Sequence, residues 1–486
     1  MRKFENQVQL AKYKVLREVS RLAMEGTLIE RRHEIPKTLD PGPEARTRCC
    51  IYKERAVTEE RVTTAMGGDK SNPNIIEILD AACDACPIDR FVVTEACRGC
   101  LAHRCSEACP VNAIDFVGHR AYIDQSKCIE CGKCREACPY NAISDVARPC
   151  KKACKAGALS IDKEKKVVID NEKCIQCGAC VYQCPFGAIM DKSYIVDVIN
   201  LLKRSKVEDV KPYAIIAPAI SSQFTYAKIE QVITAIKKLG FSDVIEVALG
   251  ADMVALHETK EFAENVDTKN FITSSCCPAF VEHINKNYPE LKGNMSTTVS
   301  PMIAISRLIK KIDDKAKVVF IGPCTAKKME IKQDDLVGST DYVLTFEELT
   351  AMIDAAGIKI EECEEGLLNN ASFFGRIFAR TGGLADSIKH VIEEENLEAD
   401  FKPISCDGLE ECDKALKLAK FNKLKGNFIE GMACKGGCIG GAASLHHGPK
   451  DKKEVDKYGK LALEERVTDS LQIFEVEDIN LERNYK

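Results

Sequence analysis

Sixteen of the 26 cysteines in this chain fall between Cys83 and Cys184. An apolar core does not call for such a density. In a reducing compartment, clustered thiols mean metal or redox chemistry rather than disulfides. The spacing is also regular. Cys128-x2-Cys131-x2-Cys134-x3-Cys138-Pro139 and Cys174-x2-Cys177-x2-Cys180-x3-Cys184-Pro185 are two copies of one pattern. A variant, Cys97-x2-Cys100-x4-Cys105-x3-Cys109-Pro110, precedes them, and a truncated form, Cys150-x3-Cys154, lies between. The residues that follow repeat as well: Val111-Asn112-Ala113-Ile114, Tyr140-Asn141-Ala142-Ile143 and Phe186-Gly187-Ala188-Ile189.

This pattern is the 4Fe–4S run of bacterial ferredoxins, in which the fourth cysteine of one run ligates the cluster of the other. Residues 80–195 are therefore expected to form a ferredoxin-like, α+β array of 4Fe–4S clusters. The rule assigns one cluster to Cys97, Cys100, Cys105 and Cys138, and a second to Cys128, Cys131, Cys134 and Cys109. A third falls on Cys174, Cys177, Cys180 and Cys154. Cys150 and Cys184 are left over and need two more ligands. Cys83-x2-Cys86 either supplies them, giving four clusters by count, or stands apart as a zinc half-site or a pair of buried thiols.

The 486 residues suggest about three domains, and the 45% hydrophobic share suffices for real cores. A net charge of −5 gives no reason to expect nucleic acid. No run of about 18 apolar residues appears, so no membrane span is expected, and the polar start lacks an apolar signal core. A cytoplasmic location is the expectation. Residues 1–79 read as a helical and irregular extension. Val8, Leu10, Tyr13, Val15, Leu16, Val19 and Leu22 recur at helical spacing. That stripe is a docking face for this chain, a second copy or a partner subunit. Residues 196–445 read as α/β, with buried strands at Tyr213–Ala217, Val244–Ala248, Lys317–Ile321 and Asp341–Leu344 alternating with helices. Ligands in such sheets gather at the carboxyl ends of strands. Residues 446–486 read as a charged tail.

Four signatures stand in that α/β region: Thr273-Ser274-Ser275-Cys276-Cys277-Pro278, Gly322-Pro323-Cys324-Thr325-Ala326-Lys327-Lys328-Met329-Glu330, Glu430-Gly431-Met432-Ala433-Cys434 and Gly436-Gly437-Cys438. Together they resemble the active-site motifs of the FeFe-hydrogenases, over roughly residues 80–445. The resemblance implies a two-lobed α/β domain with parallel sheets holding an H-cluster: a 4Fe–4S cluster joined to a two-iron subsite with carbon monoxide, cyanide and a bridging dithiolate amine. It assigns Cys277, Cys324, Cys434 and Cys438 to the 4Fe–4S half, with Cys438 bridging. Lys327, Ser300, Ala217, Pro218 and Met432 would line the two-iron part. Cys276 would start a proton relay continued by Glu261, Ser296 and Glu258 in turn. Glycines 436, 437, 440 and 441 are expected to let backbone approach the cluster closely.

Gly322 stands where the best-studied members carry methionine, Phe280 where tryptophan is usual, and Ala442 where a third glycine is usual. These departures resemble the group B branch and remove no ligand. The implied activity is reversible reduction of protons to dihydrogen with electrons from reduced ferredoxin, in a protein that needs dedicated maturation proteins. The competing reading is a hydrogen sensor or a non-catalytic iron–sulfur relative. Cys49, Cys50, Cys363, Cys406 and Cys412 receive no role.

Overall fold

The computed structural model describes residues 4–84, 86, 89–368, 371–474 and 476–483. Its α/β part is built on two parallel sheets. The first orders its strands Asp243–Glu246, Lys211–Ile216, Ala316–Gly322 and Tyr342–Thr345. Its inner strands are near-continuous apolar runs because both faces are covered: Ala214, Ile215, Val318, Val319 and Ile321 have no exposure. The second sheet orders Ile272–Thr273, Phe428–Met432 and Pro403–Asp407. Only the first sheet was expected strand by strand. The apolar run Val244–Ala248 also divides, ending as a strand at Glu246 and continuing as the helix Val247–Lys269.

The cysteine-rich part consists of two ferredoxin-like modules, and they are nested. In one, Phe91–Val93 pairs antiparallel with Ile143–Asp145, beside the hairpin of Ile114–Val117 and Arg120–Ile123. Gly118 and His119 turn that hairpin with positive φ at both positions, as a tight primed turn requires. In the other module Ile76–Ile78 pairs with Ile189–Asp191, beside the hairpin of Leu159–Ile161 and Val167–Ile169. The first module is thus inserted into the second. Its two ends meet where the Val146 N–H donates to the Arg90 carbonyl at 2.7 Å.

All four half-units share one backbone device. The Cys109, Cys138, Cys154 and Cys184 sulfurs each accept an N–H from the alanine four residues on, at 3.2, 3.4, 3.2 and 3.3 Å. The residue before that alanine is left-handed each time: Asn112, Asn141, Gly157 and Gly187. Asparagine and glycine tolerate that region, so the Asn/Gly-Ala repeat read in the sequence is a device for aiming an amide at sulfur.

The N-terminal stripe is spent within the chain. Asn6 caps the helix Gln7–Glu25 and left-handed Gly26 ends it. Val15, Leu16, Val19 and Leu22 enter the main core at 3% exposure or less. At roughly 1.5–3 kcal/mol each, that burial far outweighs exposed ion pairs such as Arg21–Glu25. Most of this face is therefore occupied by the chain's own core, while Val8 and Leu10 stay half-buried. Cys50, exposed, precedes a further helix, Ile51–Ala65, which packs on the first.

The segment 446–486 is likewise no loose tail. It carries the helices Asp451–Gly459 and Val467–Leu471, with Val455 and Val467 fully buried. The Leu481 carbonyl accepts from Val299 N–H at 2.8 Å. A buried ionic network ties the three parts together. Lys328 Nζ meets Asp191 at 2.7 Å and Glu348 at 2.8 Å, while Lys12 meets Glu347 at 2.6 Å.

Candidate functional site

The four cysteines of the α/β signatures lie beyond the carboxyl ends of strands from both sheets. Cys277 follows Ile272–Thr273 and caps the helix Pro278–Asn287. Cys324 follows Ala316–Gly322, Cys434 follows Phe428–Met432, and Cys438 opens a short turn. Their thiols converge. Burial pushes Cys438 up to about 12 and Cys324 up to about 11, and in each case the neighbouring thiols add to the rise. Cys434 is also driven well above its ordinary value, by burial and then by Cys324 and Cys277. The glycines of this region also bring backbone to backbone. A Cβ at Gly441 would stand 2.5 Å from the Pro323 carbonyl oxygen, so this glycine lets the Cys438 loop close onto the Cys324 loop.

Such a donor set repels itself as thiolates and needs a cationic partner to be deprotonated. All 26 cysteines are free thiols. Among the described residues, no three His, Cys, Asp or Glu side chains converge as ligands of a single metal ion. Four buried thiols close enough to raise one another are the donor set that a 4Fe–4S cluster takes. Two further observations fit a bound group. Ser300 Oγ is buried at the start of the helix Pro301–Ile312 without a hydrogen-bond partner. Lys327 is buried with its Nζ 2.7 Å from Glu330 and 3.4 Å from the Cys276 carbonyl. Burial works against the Lys327 charge, but Glu330 outweighs it and holds the ammonium above its ordinary value. Glu330 was inside the quoted motif but unassigned; its i,i+3 spacing from Lys327 was the available signal.

Ala217, Pro218 and Met432 are buried at the strand ends around this point. Gly322 is explained by its neighbour. A Cβ there would meet the Phe320 ring at 2.5 Å and Ala217 Cβ at 3.1 Å, so Phe320 already fills the space a side chain at 322 would take. Phe280 packs the same way over Gly431, whose Cβ would lie 2.1 Å from that ring. Cys406 and Cys412 are buried beneath the second sheet, in the cluster that Cys277 packs against.

The relay residues lie together, but in a different order from the one expected. Glu258 is the inner carboxyl. It has no exposure, and only Ser296 and the Ser275 N–H approach its oxygens, without closing to full hydrogen-bond geometry. Burial, then Glu261, pushes it up to about 8. Burial and then Glu258 push the Cys276 thiol well above its ordinary value. Glu261 is the outer group: Ser296 Oγ donates to it at 2.6 Å, Thr297 N–H at 2.8 Å and Thr298 Oγ1 at 3.1 Å. Thr298 also meets His257 Nδ1 at 2.9 Å. The Glu258–Glu261 pair does lie on one helix, one turn apart, but facing different surroundings.

In the inserted module, Cys97, Cys100, Cys105 and Cys138 line one cavity, and Cys109, Cys128, Cys131 and Cys134 line another. In the outer-sequence module, Cys180 is raised by burial and then by Cys177, Cys174 and Cys154. Cys150 is pushed up to about 11 by burial and then by Cys184 and Cys86, with Cys83 also contributing. The leftover cysteines therefore meet. Nesting explains the truncation: Cys83-x2-Cys86 and Cys150-x3-Cys154 are the two ends of one run, separated by the inserted module. Cys177 adjoins the α/β cysteines closely enough to add to the rise at Cys434, and Thr325 Oγ1 reaches the Gln176 carbonyl at 3.5 Å.

Among the described residues no helix is long and apolar enough to cross a membrane. The family described as iron only hydrogenase large subunit, C-terminal domain, matches residues 210–442, and the 4Fe-4S binding domain matches 121–144 and 167–190. Iron hydrogenase 1 of Clostridium pasteurianum is 30% identical over 46% of this chain and 47% of its own length. The chain thus spans about half of that relative. The periplasmic Fe hydrogenase large subunit of Nitratidesulfovibrio vulgaris is 30% identical over 51% of this chain and 72% of its own. The cytosolic Fe-S cluster assembly factor NAR1 of Encephalitozoon cuniculi is 28% identical over 39% of this chain and 57% of its own. A solved apo FeFe-hydrogenase of Chlamydomonas reinhardtii covers 59% of this chain and 93% of its own, at 18% identity and a TM-score of 0.49. The chain belongs to the iron-only hydrogenase family, with 4Fe-4S binding domains joined to the hydrogenase fold.

Proposed function

We propose that this protein is an FeFe-hydrogenase that interconverts protons and dihydrogen, drawing electrons from reduced ferredoxin through its 4Fe–4S clusters. The observation that carries the reading is the string of proton-bearing groups leading away from the four-thiol site. Cys277, Cys324, Cys434 and Cys438 would hold the H-cluster, and Ser300 and Lys327 would hydrogen-bond its diatomic ligands. When bound, that group supplies the redox iron at which protons and electrons combine.

The chain's own residues do the rest. Cys276 holds a proton on Sγ, kept there by burial. Glu258, with a pKa of about 8, is largely protonated at neutral pH and can pass a proton inward and be refilled. Ser296 donates to Glu261, which faces the half-exposed end. Lys327 supplies a fixed positive charge in a dry pocket. Maturation proteins would supply the two-iron subsite, in the cytoplasm.

The relation to NAR1 supports a second reading, a cluster-bearing relative without turnover. An infrared spectrum of anaerobically matured protein separates the two. Metal-bound carbonyl and cyanide bands are expected; their absence, with iron complete and a control hydrogenase matured in parallel, would favour the second reading. Cys276→Ala is expected to keep those bands and lose most turnover.

A further inference from the structure

The four thiol sets of the cysteine-rich part differ in the charge that faces them. Arg98 and Arg104 line the Cys97 site, but both are exposed to water, and no Lys or Arg is among the residues lining the Cys128 site. Lys286 reaches the Cys174 carbonyl at 2.8 Å from a partly exposed position. The Cys83, Cys86, Cys150 and Cys184 set is different. Arg148 is 3% exposed, and its Nη1 stands 4.0 Å from Cys83 Sγ. Its other end is tethered by Nη2 donating to the Lys165 carbonyl at 2.6 Å. Arg61, also buried, donates to the Phe186 and Gly187 carbonyls just past Cys184. Two buried guanidinium groups thus stand at this one set, Arg148 at Cys83 and Arg61 beside Cys184.

We infer that Arg148, backed by Arg61, makes the Cys83–Cys86–Cys150–Cys184 site the most oxidising station of the array, the one that fills first with an electron. The inference rests on the reading of this set as a 4Fe–4S site. Reduction adds one negative charge to a four-thiolate cluster and neither forms nor breaks a bond. The electron arrives from one neighbouring cluster and leaves to another. A buried cation a few ångströms away favours the reduced state, and the effect is large only where water does not screen it. Arg98 and Arg104 are screened; Arg148 is not. The site is then a reservoir between the inserted module and the catalytic end rather than an even step in a wire.

The test is an EPR-monitored redox titration of the full-length, cluster-loaded protein. Cys150→Ala identifies the signal, since it should remove one cluster and about four irons. Arg148→Met should move that signal alone to lower potential, and Arg148→Lys should move it less, with iron content unchanged in both. Unmoved potentials in Arg148→Met overturn the inference. If Arg148→Met instead loses iron, Arg148→Lys decides: a lowered potential supports the inference, and an unchanged one overturns it. If Cys150→Ala keeps its full iron and every signal, the cluster reading of this set fails, independently of Arg148.

Discussion

The two ferredoxin-like modules are near copies in backbone and opposites in connectivity. The inserted module is contiguous: both of its strand pairs close within residues 91–145. The surrounding module is split, with Ile76–Ile78 waiting for Ile189–Asp191. Both place four thiols at each of two points, and both aim an alanine amide at the last sulfur of each run. A cluster site is thus defined by local backbone shape and by which thiols meet, and not by continuity of the run.

The sharpest way to break this comparison is to remove the insertion. Replacing residues 89–146 by a short Gly/Ser linker is expected to cost about eight irons. The surrounding module should keep its own, because no residue of its strand pairs is removed and the insertion's ends already meet at Arg90 and Val146. Iron analysis and EPR check this; loss of all the array's iron would show that the modules fold as one.

A smaller effect distinguishes how the modules are anchored. Only the split module reaches the buried network, through Asp191. Lys328→Met leaves Glu348 buried without its cation and Asp191 with only Lys12, 3.9 Å away, and should cost about 3–5 kcal/mol in denaturant unfolding. Clusters in the inserted module should load normally.

Gly132 and Gly178 occupy matching positions, both left-handed. Alanine at either costs roughly 1–2 kcal/mol of backbone strain. At Gly132 the new Cβ meets only Phe91, at 3.3 Å; at Gly178 it would sit 2.4 Å from Thr325 Oγ1 and 2.8 Å from Ala442 Cβ. Gly178→Ala should therefore lower stability further and slow electron delivery to the catalytic end in single-turnover kinetics, while Gly132→Ala should not slow it.

The mildest effect is one of pH, and it is confined to the α/β part. Burial, the largest cause in each case, raises Glu258 to about 8 and Asp252 and Glu430 to about 7. A carboxyl raised on folding stabilises the fold fully below its unfolded value. That contribution is lost as pH climbs through the folded value. The Tm should fall as pH rises from about 4 to about 8 and level off above that, and Glu258→Gln should flatten the upper part of that fall.

Much of this was legible in the residues. Runs such as Cys128–Cys138 carry their ligand logic in spacing, and the leftover-thiol count already gathered Cys83, Cys86, Cys150 and Cys184. The nesting was not legible, because a run interrupted by a whole module looks like two fragments. The relay order also failed. Glu258 and Glu261 are alike in sequence, and only burial tells the inner group from the outer one. The second sheet escaped notice because Ile272–Thr273 is two residues long and Pro403–Asp407 opens on a proline and buries only Cys406. The 446–486 segment misled through its charge, although Val455, Val467 and Leu481 are core residues.

The nesting also sets a timetable. A chain emerging from the ribosome at about 5–20 residues per second presents the insertion complete before the strand Ile189–Asp191 exists. Near-neighbour pairings close fast and distant ones slowly. The inserted module can therefore finish while Cys83 and Cys86 are still waiting for Cys150 and Cys184. During that interval two reactive thiols are available to the wrong metal or the wrong cysteine. That exposed interval falls within the first half of the chain's own synthesis, and it ends only when the last strand of the array arrives.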